Sequence, residues 1–294
     1  MQVVDSLDAL RAARDALHGS VGVVLTMGAL HEGHLALVAE ARRENDHVLT
    51  TIFVNPAQFG PGEDFSRYPR DLDGDLALFE RAGVEVVFTP TPALMYPPGF
   101  QTYIENGPVA SGLEGDSRPG HFRGVSTVVA KLFNLTRPTR TYFGQKDAQQ
   151  VAVIRRMAAD LNFPLDIIPC PTVREADGLA MSSRNRYLSA DERRAAAVIP
   201  AAIRAAGERH AAGERSPEAL KQTVRDTIAR EPLAVLEYVS IADARTLHEL
   251  DAPTDQPVLL SLTVRIGLPR LLDNALLPLE LNTRAGLIEY LGRP

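Results

Sequence analysis

The period of apolar positions changes repeatedly along the first 170 residues. Leu7, Leu10, Ala13 and Leu17 fall on one face of a helix over residues 6–17, with Ser6 placed as its N-cap. Val21-Gly22-Val23-Val24-Leu25 is continuously apolar, the pattern of a short strand covered on both faces of a parallel sheet. Leu35 to Arg43 returns to helical spacing through Leu35, Val38, Ala39 and Arg42. Residues 48–54 predict a second strand, stopped at Asn55-Pro56 because proline has no N–H for the ladder. A helix over Asp71 to Ala82 ends at Gly83, and Val84 to Phe88 follows as a third strand. An apolar helix near 125–136, a strand at Thr141-Tyr142-Phe143, a helix near 148–160 and a strand at Leu165 to Ile168 bring the total to five strands. This alternation predicts a Rossmann-like, doubly wound parallel α/β sheet.

After Pro171 the pattern is different. Residues 172–186 are polar, small and basic without a clear period, as a mobile loop would be. Ser189-Ala190-Asp191-Glu192 is a capping box opening an alanine-rich helix to about Ala205, and Ser216-Pro217-Glu218 opens another. Residues 235–241 and 258–266 are strand-like. The expectation is two domains: residues 1–174 as the Rossmann-like domain, and residues 175–294 as a smaller α+β domain with the Met181 loop at its start. The Pro- and Gly-rich stretch 89–121 fits a linker or a set of functional loops.

Composition narrows the classes. The chain has 294 residues, 45% of them hydrophobic, enough for two domains with substantial cores. Its formal net charge of −6 argues against general binding of a nucleic-acid backbone, yet leaves room for a small basic pocket. The single cysteine, Cys170, forms no internal disulfide and suits a packed thiol. There is no basic-then-apolar N-terminal segment, and no apolar run near the roughly 20 residues of a membrane helix. A soluble cytoplasmic protein is expected.

Candidate chemistry gathers at three segments. Thr26 to His34 lies between a strand and a helix, where ligands bind in open α/β sheets and where free helix-terminal amides attract anions. His31 and His34, three apart, suit a phosphate, a metal or merely a polar turn. Phosphate is favoured over metal, because no carboxylate or cysteine cluster completes a metal site. Gly144-Gln145-Lys146-Asp147 sits at a second helix start, with a lysine able to neutralise phosphate; a solvated polar turn is the plain alternative. Met181-Ser182-Ser183-Arg184-Asn185-Arg186 offers hydroxyls and guanidinium groups that could close over a triphosphate, or form a hydrophilic linker. Asn55 and Gln58, past a strand end, suit a small polar substrate or turn chemistry. The G-x-x-x-x-G-K-[S/T] phosphate loop is absent.

Met27-Gly28-Ala29-Leu30-His31-Glu32-Gly33-His34 resembles the His-x-Gly-His signature of class I nucleotidylyl transferases, and Met181-Ser182-Ser183-Arg184 resembles their second signature. A closer resemblance is to the pantoate–β-alanine ligase family. It is carried by Ile52 to Phe59, Tyr68-Pro69-Arg70, His121-Phe122-Arg123-Gly124-Val125, Phe143 to Asp147, Gln149-Gln150, Val173 to Asn185 and Arg270-Leu271-Leu272-Asp273-Asn274. The resemblance implies ligation of pantoate and β-alanine to pantothenate through pantoyl adenylate, with ATP as co-substrate, Mg²⁺ as cofactor, and release of AMP and pyrophosphate. It implies catalytic roles for His31, His34, Lys146, Ser182, Ser183 and Arg184. The ATP pocket would comprise Met27, Gly28, Ala29, Leu30, His31, Glu32, Gly33, His34, Gly144, Gln145, Lys146, Asp147, Val173, Met181, Ser182, Ser183 and Arg184. Gln58, Gln150 and Asn55 would serve pantoate and β-alanine. Gly74 stands where relatives often carry an acidic residue, which leaves Asp75 as a candidate protein group near Mg²⁺, the alternative being a metal held mainly by ATP phosphates and water. A homodimer is also implied. The competing enzyme is another class I adenylyltransferase, disfavoured by Asn55, Gln58 and Gln150. A tRNA synthetase is disfavoured by the short acidic chain, and a nucleotide sensor by the intact histidines, lysine and serines.

Overall fold

The computed structural model describes residues 1–291. Two compact units are present: residues 1–143 with 153–168, and residues 144–152 with those from 169 onward.

In the first unit the elements are β1 (Gln2–Val4), α1 (Leu7–Ala16), β2 (Val21–Thr26), α2 (Glu32–Glu44), β3 (His47–Ile52), α3 (Leu72–Arg81), β4 (Val86–Phe88), α4 (Pro92–Met95), α5 (Leu113–Ser117), α6 (His121–Thr136) and β5 (Arg140–Gly144), with α7 (Ala148–Asp160) and β6 (Asp166–Cys170) running on into the second. The sheet order is β1-β4-β3-β2-β5-β6. The chain starts at one edge with β1, passes to central β2, winds back out through β3 and β4 to pair with β1, then reverses to β5 and β6 on the other side of β2. The topological switch point therefore lies between β2 and β5, which pair in parallel through Gly22↔Arg140 and Val23↔Thr141. Central β2 carries the buried pattern expected of a strand covered on both faces.

The sequence pattern anticipates five of these six strands. The sixth, β1, is three residues long and pairs only with β4, Val3↔Val87 at its middle, too short to show a period. Helix α2 begins three residues earlier than its apolar spacing suggests, because its first turn is capped by side chains rather than buried. The Pro- and Gly-rich stretch is no linker. It belongs to the first unit and lies against α6: Thr127 Oγ1 accepts from Ile104 N–H at 3.0 Å, and the Arg123 guanidinium sits 3.7 Å over the Tyr103 ring.

The second unit contains α8 (Ala190–Ala195), α9 (Val198–Ala211), α10 (Pro217–Ile228), α11 (Arg284–Tyr290) and an antiparallel sheet of β7 (Ala234–Asp243), β8 (Val258–Ile266) and β9 (Arg270–Leu277), with β8 central. Ile199, Ala202, Leu220, Val224, Leu260 and Leu262 form its core. The single alanine-rich helix expected from 189 to 205 is instead two. Pro200 lacks an N–H and is accommodated in the first turn of α9, where amides have no helical partner, so the preceding helix stops before it. Strand β9 was not anticipated; its alternation is weak because nearly every side chain is buried.

Candidate active site

Two turns at the ends of β2 and β5 hold most of the candidate residues, and each is built by side chains from elsewhere in its own unit. At the first, Gly28 (φ +81°) and Ala29 (φ +53°) adopt left-handed backbone. That conformation aims the amides of Ala29 and Leu30 at Asp75 on α3, which accepts them at 2.8 Å each, one per carboxylate oxygen. Asp75 is 3% exposed. A Cβ on Gly28 would lie 2.8 Å from the same carboxylate, so both the backbone angle and the space require glycine.

The turn then enters α2 through its two histidines. Nδ1 of His31 accepts from Gly33 N–H at 3.1 Å, and Nδ1 of His34 accepts from His31 N–H at 3.3 Å, a reciprocal cap in which imidazoles replace the usual oxygens. An accepting Nδ1 places the proton of each neutral ring on Nε2. The rings lie 4.1 Å apart, centroid to centroid. This narrows the expectation of free amides at this helix start: those of Ala29, Leu30 and His31 just before it and of Gly33 in its first turn are taken by side chains.

Gln58 ends a 3-10 turn, Pro56–Gln58, opened by buried Asn55. Asn55 donates to Gln58 Oε1 at 3.0 Å and to Gly124 O at 3.2 Å, while its Oδ1 accepts from Tyr96 OH at 2.7 Å and Ala57 N–H at 3.3 Å. Its carboxamide thus orients Gln58. Gly124 is essential to this approach, since a Cβ there would stand 2.1 Å from Ala57 O. His121 completes the support. Its Nδ1 lies 2.9 Å from Gln58 O and its Nε2 lies 3.2 Å from Arg118 Nη1. The carbonyl can only accept and the guanidinium can only donate, so His121 is neutral, protonated on Nδ1. Burial, with the Arg118 charge beside it, pushes its pKa down to about 4. Arg118 is in turn held by Glu63 through two bonds of 2.8 and 2.6 Å. His121 stood in a recognisable segment of the sequence, but nothing in its spacing indicated that it supports Gln58.

In the second unit, Gly144 to Asp147 form the other turn, and half-buried Gln150 stands in the first turn of α7. Lys146 lines a cavity with Leu179, Ala180, Ser182, Asn185 and Asp273, so the lysine and the second signature are brought together. The polar 172–186 segment is a hydrogen-bonded hairpin rather than an irregular loop. Met181 N–H donates to Val173 O at 3.0 Å, Arg174 bridges to Ala180, and Ser183–Tyr187 form a 3-10 turn capped by the Ser182 hydroxyl. Asn185 fixes the turn, donating to Glu175 Oε1 at 2.7 Å and Ala180 O at 3.1 Å. Arg193 from α8 clamps Glu175 and Asp177, each at 2.6 Å, and holds the Asp177 carboxyl below the usual range. Glu175 and Arg193 were not singled out in the sequence, because ion pairs between distant segments leave no periodic trace.

The donor set does not fit a protein-held metal. Both oxygens of Asp75 accept backbone amides, and no group of three His, Cys, Asp or Glu residues able to hold an ion occurs among the described residues. Nor is any helix among the described residues long and apolar enough to cross a membrane. Cys170 is buried, in keeping with a packed thiol.

Comparison with known proteins places this architecture. The pantoate–β-alanine ligase family model matches residues 2–276. A pantothenate synthetase of Roseiflexus castenholzii is 62% identical over 277 residues, 94% of this chain and 99% of that one. One from Chloroflexus aggregans is 56% identical, covering 94% of this chain and all of the relative. The crystal structure of pantothenate synthetase from Thermus thermophilus superposes with a TM-score of 0.89 at 46% identity, covering 93% and 98% of the two chains. A Francisella tularensis pantoate–β-alanine ligase, crystallised with a β,γ-ATP compound and β-alanine, aligns with a TM-score of 0.78 at 35% identity, over 94% and 97%. By sequence and by fold, this chain belongs to the pantoate–β-alanine ligase family.

Proposed function

We propose that the chain joins pantoate to β-alanine through an acyl adenylate. In the first step a pantoate carboxylate oxygen bonds to the α-phosphorus of ATP, and the bond from that phosphorus to the β-phosphate oxygen breaks, releasing pyrophosphate. In the second, the β-alanine amine bonds to the acyl carbon and loses a proton, while the bond from that carbon to the AMP oxygen breaks. Neither step needs a covalent enzyme nucleophile. Both need alignment and neutralisation of phosphate charge. The ligands of the Francisella relative support ATP and β-alanine as substrates here.

The roles follow from the chemistry of each group. His34 and His31 donate Nε2–H to phosphate oxygens, and Met27 and the glycine-bearing turn shape the nucleotide contact. Lys146 supplies a full positive charge, joined by Ser182, Ser183 and Arg184, with Gly144, Gln145, Asp147, Val173 and Met181 framing them. Gln58 and Gln150 hold pantoate, Gln58 serves β-alanine as well, and Asn55 acts by orienting Gln58. Any Mg²⁺ would be bound mainly by the triphosphate oxygens and water rather than by this chain's side chains, and would supply further neutralisation of phosphate charge. A cytoplasmic homodimer is part of the same reading.

The observation that carries it is the reciprocal cap, which fixes both imidazoles as Nε2 donors at the head of α2. The test is AMP release by purified protein given ATP, Mg²⁺, pantoate and β-alanine. Release dependent on both organic substrates is expected; release indifferent to pantoate overturns the reading. In the same assay His34→Ala lowers adenylate formation by about 10²–10³-fold, against a stability loss of about 1 kcal/mol for the missing cap. Stability and activity falling in proportion would make His34 structural.

A further inference from the structure

The Arg270-Leu271-Leu272-Asp273-Asn274 segment marks the family resemblance, yet none of its residues has a role in the chemistry above. We infer that Asn274 is a positioning residue for Lys146. Its side chain is 1% exposed on β9. Its Nδ2 donates to two successive backbone carbonyls of the lysine turn, Gln145 O at 3.0 Å and Lys146 O at 2.8 Å. Both amide protons are used, and the orientation of the carboxamide is unambiguous, since the flipped group would set oxygen against two oxygens. Its Oδ1 is buried with no hydrogen-bond partner among the described residues. A residue that only filled the core would be apolar and carry no such penalty, so the donors are what this position requires.

Planarity of the peptide makes the clamp directional. Carbonyl and N–H point opposite ways across a trans peptide, so holding Gln145 O turns the Lys146 N–H away from Asn274, and holding Lys146 O does the same for the Asp147 N–H. Two amides at the head of α7 and the root of the lysine side chain are set by one carboxamide. The carboxamide is itself fixed. Asp273, 1% exposed, accepts Arg174 at 2.7 and 3.0 Å and accepts Asn274 N–H at 2.8 Å. Arg174 opens the hairpin that carries Met181 and Ser182, and its Nη1 also donates to Gly178 O at 2.9 Å. Neighbouring residues of one strand thus hold the lysine turn and the base of the second signature. Gln145 adds a second tie, donating from Nε2 to Asn282 Oδ1 at 2.6 Å.

This inference rests on the assignment of Lys146 to the triphosphate, and a double-mutant cycle separates the two. Wild type, Asn274→Asp, Lys146→Ala and the double variant are compared for affinity toward a non-hydrolysable ATP analogue by calorimetry, and for kcat/KM with ATP. Aspartate keeps the shape of asparagine and removes the paired donors. Asn274→Asp alone is expected to weaken both quantities by about tenfold or more, as misplacement of a binding group does, and to change them less than about twofold when Lys146 is already alanine. Equal losses in both backgrounds overturn the inference and leave Lys146 in place. A harmless Lys146→Ala overturns the lysine assignment and the inference together. Should Asn274→Asp not fold, Asn274→Ala takes its place in the cycle: a loss confined to the Lys146 background supports the inference, and equal losses in both backgrounds overturn it.

Discussion

The turns after β2 and β5 are held by opposite chemistry. At Gly28–Leu30 a carboxylate, Asp75, accepts two backbone amides. At Gln145–Lys146 a carboxamide, Asn274, donates to two backbone carbonyls. The first arrangement removes the Ala29 and Leu30 amides from the set available to an anion, and under the proposed function phosphate contact is accordingly assigned to the imidazoles that cap α2. The second ties down carbonyls and leaves the amides of the same peptides facing the other way, beside a lysine. Both follow a parallel strand into a helix, so strand–turn–helix geometry alone does not say which groups meet a phosphate. The side chain behind the turn decides that.

The comparison breaks most severely at Asp75. Asp75→Ala leaves two buried amides without acceptors, and a loss of about 3–5 kcal/mol is expected from two charge-assisted bonds. Denaturant unfolding measures it. A loss below about 1 kcal/mol would mean that the amides find other partners and that the carboxylate is dispensable to the turn.

The Gln58 turn offers a third kind of support, a titratable one. His121 is neutral in the folded state with a pKa of about 4, below its unfolded value near 6.5. Between those values the unfolded chain binds the extra proton, so His121's contribution is fully present above about pH 6.5 and is lost as pH falls toward 4. The stability difference between wild type and His121→Gln should shrink by up to about 3 kcal/mol across that window. Parallel acid limbs for the two proteins would mean that His121 does not titrate there. A smaller effect belongs to Gly28→Ala. Left-handed backbone costs about 1–2 kcal/mol for a residue with a Cβ, and the added carbon would press on Asp75. The variant should lower ATP affinity more than the affinity for β-alanine. Equal losses would place the turn outside the nucleotide contact.

Much of the fold was legible because parallel strands and amphipathic helices write themselves as periods. Residues 21–25 are apolar throughout because β2 is central, and Ser6, Ser189 and Ser216 announced their helices because a cap is local chemistry. Strand β1 was illegible at three residues, and β9 because burial of nearly all its side chains erases alternation. Among site residues, the histidine pair, Lys146 and the serines were visible as residue types suited to phosphate. Their supports were not. Asp75, His121, Arg193 and Asn274 support residues 16 to 129 positions away in sequence, judged by the bonds they make, and no local pattern encodes such a pairing.

Sequence alone determined the alternation of strand and helix, the carboxyl-end placement of the candidate turns, and the residue types that could meet a phosphate, because these depend on period, propensity and chemical identity. Tertiary structure alone decided that Gly144–Ala152 forms part of the second unit, that the amides of Ala29 and Leu30 belong to Asp75, and that both histidines carry their protons on Nε2. Those outcomes depend on which donor meets which acceptor after the chain has folded. A buried polar group must find a partner wherever the fold provides one, and that partner is set by distance in space rather than along the chain.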